Sequence, residues 1–249
     1  MKNINEWTPT KYILKANRLF ATKDTNELGV ASRLAAGEVA KFYSDNVPKY
    51  ARGKLIDLGC GKVPLFGLYK NYTDDVLCVD WANSFHKNQF LDFECDLNRK
   101  LDFAEENVFD TIILSDVLEH IMEPELLIKE MSRIIRKNGG KILLNVPFYY
   151  WIHEAPYDYF RYTHFALRNM FERNNFEILE LKSLGGVLEV LADITSKFAL
   201  HFPMGKQIAF SIQNVTKVIG KSKMGKKIRK HTEFYFPLGF GLVVRKNSL

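Results

Sequence analysis

The sequence contains few cysteines and no long apolar run. Its 249 residues include three cysteines, Cys60, Cys78 and Cys95, and their spacing matches neither a zinc site nor a paired disulfide framework. No segment approaches the ~20 consecutive apolar residues of a membrane-spanning helix. The first twenty residues carry four Lys or Arg and lack the apolar stretch of a signal peptide. These absences indicate a reduced, cytoplasmic compartment.

The net positive charge of the chain comes from one segment near the C-terminus. The net charge is +6, and residues 217–230 contain seven basic residues and no acidic one. They are Lys217, Lys221, Lys223, Lys226, Lys227, Arg229 and Lys230. Three interpretations stay open: a solvated surface, a contact with an anionic membrane or a phosphorylated or lipid-linked substrate, and RNA. RNA is disfavoured because base-stacking aromatic side chains are not interleaved with these lysines. If the membrane contact forms, we expect a peripheral location at the inner membrane surface.

Apolar periodicity predicts alternating strands and helices after a helical start. Residues 1–50 are typical of helix and predict an N-terminal helical cap. Short apolar runs then predict strands at 54–58, 76–80, 90–95, 109–115 and 141–146, with the clearest intervening helix at 125–137. Continuous apolar strands that alternate with helices indicate a parallel sheet covered on both faces.

The last third of the chain predicts two more strands separated by a helical insertion. A helix at 165–173 leads to a strand at 176–181, and 234–245 reads as a strand pair or a long edge strand because Pro237 cannot donate to a central ladder. Helical spacing at 187–200 and 207–219, with the basic segment, predicts an insertion over about 186–232. The main domain, which contains this insertion, would span 51–249.

A glycine turn after the first strand of the sheet is typical of a nucleotide-type cofactor site. Gly59 and Gly61 follow the run ending at Leu58, where the backbone must turn tightly beside a ligand. Asp80 closes the next strand, at the distance where an acid reaches ribose hydroxyls. Pro64 stands where a dinucleotide fingerprint has its third glycine, and Val63 follows Gly61-Lys62 where a phosphate loop needs Ser or Thr. The site therefore lacks the features that bind pyrophosphate or triphosphate.

Five motifs in order, over residues 50–183, resemble the class I S-adenosylmethionine-dependent methyltransferases. They are Asp57-Leu-Gly-Cys-Gly61, Val79-Asp80, Cys95-Asp96-Leu97, Phe109-Asp110 through Ser115 to His120, and Arg136-Lys-Asn-Gly-Gly140. The resemblance implies a Rossmann-like α/β fold with a seven-stranded, mostly parallel sheet, and S-adenosylmethionine as cofactor. It also implies the cofactor-binding residues Asp57, Gly59, Cys60, Gly61, Asp80, Trp81, Asp96, Leu97, Ser115 and His120. One departure is Val63, where members often have a glycine, and we expect it to narrow the space beside the methionine moiety.

The segment 147–164 is dense in aromatic and ionisable residues and predicts the acceptor pocket. It resembles a type 11-like subset of the family associated with polysaccharide and glycoconjugate synthesis. We expect His153 to be the general base, Asp158 to orient it or bind a sugar hydroxyl, and Arg161 to bind an anionic group. The alternative is that Asp158 and Arg161 only pair with each other.

The predicted reaction is O-methylation of a carbohydrate or other small hydroxyl compound, including a lipid-linked glycan. RNA or a quinone-type lipid is the alternative acceptor, and a non-catalytic cofactor-binding or scaffold protein is the alternative from another class. No metal is predicted. Asp116, Glu119, His120 and His153 form the alternative metal set, because their spacing is similar to that of metal-assisted methyltransferases, although Leu-Glu-His also occurs in members without metal.

Overall fold

The computed structural model describes residues 1–86 and 89–248 and contains a hairpin and a seven-stranded sheet. The strands are β1 Tyr12–Lys15, β2 Arg18–Ala21, β3 Lys54–Leu58, β4 Asp75–Asp80, β5 Phe93–Glu94, β6 Thr111–Ser115, β7 Lys141–Pro147, β8 Phe176–Leu184 and β9 Gly239–Lys246. The helices are α1 Arg33–Tyr50, α2 Phe66–Tyr69, α3 Pro124–Ile134, α4 His164–Glu172, α5 Val187–Ala199, α6 Gly205–Lys221 and α7 Lys223–Thr232.

The large sheet has the order β5-β4-β3-β6-β7-β9-β8. Strands β3 to β7 pair in parallel, and β9 runs antiparallel to both β7 and β8. This arrangement confirms the predicted Rossmann-like sheet. The order reverses at β3, which pairs with both β4 and β6, so the carboxyl ends of these strands open into the crevice where such sheets bind ligands.

Two apolar cores lie on the two faces of the sheet. One includes Leu127 and Met131 of α3 together with Leu167 and Phe171 of α4. Their i, i+4 spacing places each pair on one helix face, which the sheet then buries. The second core includes α1, α2 and the β1–β2 hairpin. Helices on both faces explain why the central strands read as unbroken apolar runs.

The first 32 residues differ from the predicted helical cap. Among them the structure has the β1–β2 hairpin and two single 3-10 turns, and α1 begins only at Arg33. Ala16 and Asn17 both have positive φ, at 46° and 57°, which is the geometry of a two-residue hairpin turn whose twist matches the flanking strands. Tyr12 and Leu19 anchor the hairpin in the core. The helical prediction for this segment is wrong because turn geometry overrides a short apolar periodicity.

The end of the chain also differs from its prediction. β9 lies between β7 and β8, so the edge strand is β8 and not the last strand. Pro237 precedes β9 and accepts a hydrogen bond from Tyr149 N through its carbonyl, so it removes no donor from the ladder. Between β8 and β9 the chain forms α5, α6 and α7, as predicted for the insertion.

Side chains tie the insertion to the N-terminal part of α1. Gln213 of α6 donates to Ala31 O and accepts from Leu34 N, at 2.8 and 2.7 Å. Arg229 of α7 pairs with Glu38. Within the described residues, no helix has the length and apolarity that a bilayer crossing requires.

Candidate cofactor and acceptor site

A cavity of about 550 Å³ opens at the carboxyl ends of β3, β4 and β6. All ten residues that the family resemblance implies for the cofactor line it: Asp57, Gly59, Cys60, Gly61, Asp80, Trp81, Asp96, Leu97, Ser115 and His120. They come from four separate stretches of the chain, and the parallel sheet brings those stretches to one edge.

The turn after β3 is built on backbone geometry that glycine alone adopts without cost. Gly59 has a φ of +70°, and a Cβ at this position would lie 2.4 Å from a methyl carbon of Val117. The amides of Gly59 and Cys60 both donate to Val79 O, at 2.8 and 3.1 Å, which fixes the turn against β4. A side chain at residue 59 would therefore both strain the backbone and push Val117 aside.

Val63, the departure from the family pattern, adopts a left-handed backbone conformation. Its φ is +52°, a rare value for a β-branched residue. Its side chain is fully buried in the core beside α1 and α2 and is not part of the cavity wall. The expectation that Val63 narrows the cofactor space is therefore wrong, because the side chain turns into the core.

Two buried carboxylates shape the floor of the cavity. Asp80 accepts from Gly61 N and Ser84 Oγ through Oδ2, at 3.0 and 3.1 Å, and from Trp81 N through Oδ1, at 2.8 Å. Burial raises the pKa of Asp80, and these hydrogen bonds oppose that rise. Burial raises the pKa of Asp57 to about 7, while a hydrogen bond from Tyr69 lowers it.

The outer end of the cavity combines an exposed acid with aromatic rings. The side chain of Asp96 is 40% exposed, and its Oδ1 accepts from the backbone and side-chain amides of Asn98. Trp81 meets Tyr157 edge-to-face at 4.8 Å between ring centroids. An open carboxylate beside an aromatic wall can accept from a flat, amino-bearing ring.

Among the described residues, two lysines line the cavity, and both are neutralised by acids. Lys11 Nζ lies 3.0 Å from Asp116 Oδ2, and Lys62 Nζ lies 3.0 Å from Glu27 Oε1. Neither ammonium is free to neutralise a phosphate. The donor set fits a cationic amino-acid ligand with ribose hydroxyls better than a phosphorylated one, as the sequence predicted.

A second cavity of about 280 Å³ adjoins the first. Lys11, Asp116 and Glu154 are among the residues that line both. His153 and Tyr150 line only the second. A molecule in the second cavity would therefore meet a cofactor in the first beside these shared residues.

At this junction a buried carboxylate faces two histidines. Glu119 is fully buried, and its Oε1 lies 3.7 Å from Nε2 of His120 and 3.7 Å from Nε2 of His153. Burial raises the pKa of Glu119. Burial lowers the pKa of His153, but the carboxylates of Glu119 and Asp158 outweigh it and the net shift is upward.

Asp158 and Arg161 lie behind His153 and line neither cavity. Asp158 accepts from both terminal nitrogens of Arg161, at 2.6 and 2.8 Å, and its pKa is about 2 although burial alone would raise it. Arg161 also donates to the carbonyls of Phe160 and Trp151. Asp158 and Arg161 therefore pair with each other, as the alternative interpretation predicted. Because Arg161 lines neither cavity, its position does not fit a role in binding an anionic substrate. Asp158 does approach His153, with Oδ2 3.1 Å from Nδ1.

Several wall residues were not found by sequence reasoning. Thr10, Lys11, Asn26 and Glu27 line the first cavity, yet they lie in the segment predicted as a helical cap. Asn145 accepts from Ser115 Oγ and Tyr43 OH, at 2.9 and 3.0 Å, and lines the second cavity. The signal for Asn145 was present, because the residue lies near the carboxyl end of a predicted strand.

Comparison with known proteins identifies the family. A family model described as a methyltransferase domain matches residues 30–181, more than half of the chain. The chain belongs to this family. It is an S-adenosylmethionine-dependent class I methyltransferase, and S-adenosylmethionine is its cofactor. No curated protein sequence matches the methyltransferase.

Solved structures of low sequence identity share the fold of the methyltransferase. An S-adenosylmethionine-dependent methyltransferase from Archaeoglobus fulgidus is 13% identical, with a TM-score of 0.56 over 86% of this chain and 97% of its own. The 4+2 cyclase SpnF is 15% identical, with a TM-score of 0.55 over 96% and 87%. A phosphoethanolamine N-methyltransferase from Haemonchus contortus, solved with S-adenosylhomocysteine, is 13% identical, with a TM-score of 0.50 over 85% and 53%. These likenesses establish the fold, and since one of the three is a cyclase, they do not establish the acceptor.

Proposed function

We propose that the methyltransferase O-methylates a carbohydrate or another small hydroxyl compound. The observation that carries this proposal is the second cavity, about 280 Å³ in volume, which adjoins the first cavity, called the cofactor cavity from here on. Ionisable and hydroxyl side chains line the second cavity together with apolar ones. Such a space suits a compact polar molecule held by a few convergent hydrogen bonds. When bound, S-adenosylmethionine supplies the methyl group.

The roles of individual residues in binding the cofactor follow from their positions in the family motifs. We propose that backbone groups of Gly59, Cys60 and Gly61 contact its amino-acid part, with Asp57 beneath. Asp80 would accept from the ribose hydroxyls, and Asp96 from the adenine amino group beside Trp81. Leu97 and His120 complete the wall, and Ser115 forms part of the floor. Support comes from the arrangement of these groups around one cavity.

His153 is proposed as the side chain that prepares the acceptor hydroxyl for attack. It lines the second cavity, called the acceptor cavity from here on, and lies against Glu119 at the junction with the cofactor cavity. Asp158 acts as a positioning residue behind it, and Arg161 holds Asp158. Methyl transfer requires little more from the protein than alignment and removal of the hydroxyl proton.

We also propose that the acceptor, or a lipid carrying it, is met at an anionic membrane surface. Lys217, Lys221, Lys223, Lys226, Lys227 and Lys230 are all exposed on α6 and α7. The same insertion exposes the apolar side chains Leu191, Ile194, Phe198, Phe202 and Val218. Exposed apolar groups accompanied by cations are typical of surfaces that bind anionic bilayers reversibly.

The test is incubation with labelled methyl donor and a panel of nucleotide sugars, lipid-linked glycans, quinone-type lipids and total RNA. Label in a sugar or glycan fraction, stable to mild acid and resistant to amine-specific chemistry, supports O-methylation. Label confined to RNA or to a quinone would contradict the proposed acceptor. Tight binding of S-adenosylmethionine without transfer to any panel member would favour a cofactor-binding protein without turnover.

A further inference from the structure

Glu119 is a buried carboxylate that lacks hydrogen-bond donors. Its relative exposure is 0%, and neither Oε1 nor Oε2 has a hydrogen-bond partner among the described residues. Burying an unpaired carboxylate costs several kcal/mol, and proteins avoid it unless a cation or donor completes the site. The unpaired oxygens therefore call for a proton, a hydrogen-bond donor or a cation.

One of the two histidines beside Glu119 presents a lone pair to it. Nδ1 of His120 lies 2.8 Å from the carbonyl oxygen of Tyr157, and because a carbonyl only accepts, Nδ1 carries the proton. Nε2 of His120 is then an unprotonated acceptor that faces Glu119. Nε2 of His153 faces the same carboxylate oxygen, while its Nδ1 lies 3.1 Å from Asp158 Oδ2 without the geometry of a hydrogen bond.

The distances between Glu119 and the two histidines indicate a shared cation and not direct hydrogen bonds. Both Nε2 atoms lie 3.7 Å from Oε1 of Glu119, beyond the range of a hydrogen bond. Two ligands each about 2.1 Å from one metal ion stand roughly 3.4–3.6 Å apart at tetrahedral to trigonal angles. The ligand atoms of all three residues lie within 4.8 Å of one another. The two 3.7 Å distances are close to the separation of two ligands of one ion, so an ion fits between Glu119 and each histidine.

We propose that Glu119, His120 and His153 bind a divalent transition-metal ion. Two imidazoles and one carboxylate favour Zn²⁺, Mn²⁺ or Co²⁺ over Mg²⁺, which prefers oxygen ligands throughout. The contacts behind the histidines, a carbonyl for one and a carboxylate for the other, are the outer partners that metal-binding histidines characteristically have. Asp116 lies outside the group, since Lys11 and Asn145 engage its carboxylate.

The ion would lie where the two cavities meet. His120 lines the cofactor cavity and His153 the acceptor cavity, so an ion held by both would lie near both cavities. A bound ion lowers the pKa of a coordinated hydroxyl. This role rests on the proposed function, and within it His153 acts as a ligand and not as a free base. Metal binding itself does not depend on the acceptor.

Titration of the metal-free protein with Co²⁺ tests the proposal, because the absorption of Co²⁺ in the visible range reports its ligands. We expect one Co²⁺ per chain, displaced by Zn²⁺ and unaffected by millimolar Mg²⁺. Glu119→Gln and His153→Gln should each lower the affinity more than tenfold, and Asp158→Asn by about 10- to 100-fold through the outer contact. His201→Gln, at an exposed position between α5 and α6, is the matched control and should bind as the wild type does.

Circular dichroism and binding of S-adenosylhomocysteine establish that each variant is folded. Folded wild-type protein that binds no Co²⁺, Zn²⁺ or Mn²⁺ would overturn the proposal and leave a shared proton as the partner of Glu119. Metal binding that survives both Glu119→Gln and His153→Gln would also overturn it, since the ion would then lie elsewhere. If the metal binds here but no hydroxyl compound is methylated, only the proposed acceptor fails.

Discussion

The hydroxyl of Tyr69 donates a 2.9 Å hydrogen bond to Asp57 Oδ2 at the floor of the cofactor cavity. Asp57 is nearly inaccessible to solvent, and the Tyr69 hydroxyl only partly compensates its burial. The carboxyl group therefore keeps a pKa of about 7, well above the ~3.9 of an unfolded aspartate. The first prediction follows from this pair.

We predict that the stability of the cofactor-free protein falls between pH 5 and pH 8. The folded state holds the Asp57 proton more tightly than the unfolded state, so the stabilisation is complete below about pH 4 and disappears as the pH rises through about 7. Asp57→Asn should flatten this part of the profile. Thermal melting of both proteins across the range provides the measurement, and equal slopes would contradict the assignment.

Asp80→Asn should weaken binding of S-adenosylmethionine by about 10- to 100-fold, because charge-assisted hydrogen bonds contribute about 1.5–3 kcal/mol each. The substitution also replaces an acceptor of the Gly61 and Ser84 hydrogen bonds with an amide. Asp102→Asn is the control, since that side chain is 78% exposed. Calorimetric titration measures both, and an unchanged affinity for Asp80→Asn would remove Asp80 from the cofactor site.

Gly59→Ala should lower both the melting temperature and the cofactor affinity. The added methyl group would meet Val117 at 2.4 Å, on a backbone whose φ is +70°. We expect a loss of at least about 1–3 kcal/mol in the free energy of unfolding. The matched control is Gly37→Ala in α1, where a Cβ meets nothing within 4 Å and helix propensity favours alanine. Equal effects of the two substitutions would contradict this account of the turn.

His153→Ala should reduce turnover by about 10²- to 10⁴-fold while cofactor affinity changes little, because His153 lines the acceptor cavity and not the cofactor cavity. Single-turnover assays and calorimetry separate the two quantities. His86→Ala is a useful comparison, since His86 lines both cavities but lies outside the Glu119 group. Near-full turnover of His153→Ala with bound cofactor would show that His153 has no part in the chemistry.

Replacing Lys223, Lys226, Lys227 and Lys230 with alanine should abolish flotation with anionic liposomes. Each cation near an anionic surface contributes about 1 kcal/mol. Arg229 is left in place because it pairs with Glu38 and holds α7 to α1. Neutral liposomes and a Phe198→Ser variant separate the electrostatic from the apolar contribution. Absence of wild-type flotation at every salt concentration would contradict the proposed membrane contact.

The sheet and the cofactor cavity could be predicted because their signals are local. Strands such as 141–146 are continuous apolar runs, and the glycine turn with Asp80 follows a spacing imposed by the βαβ unit. The hairpin was missed because its signal is the positive φ of Ala16 and Asn17, which the sequence reveals only weakly. The position of β9 depends on pairing with β7 across about a hundred residues, for which periodicity carries no information. Lys11 could not be predicted as a cavity residue, because it lies in the N-terminal segment that was predicted as a helical cap.

The second cavity also bears on how the proposed acceptor would be presented if it were part of a longer molecule. A space of about 280 Å³ suits a compact group and not a folded chain. Under the proposed function, we therefore expect a polymeric acceptor to enter by its terminus and to leave the rest of its chain in solvent. Methylation would then mark chain ends and not the interior of a polymer.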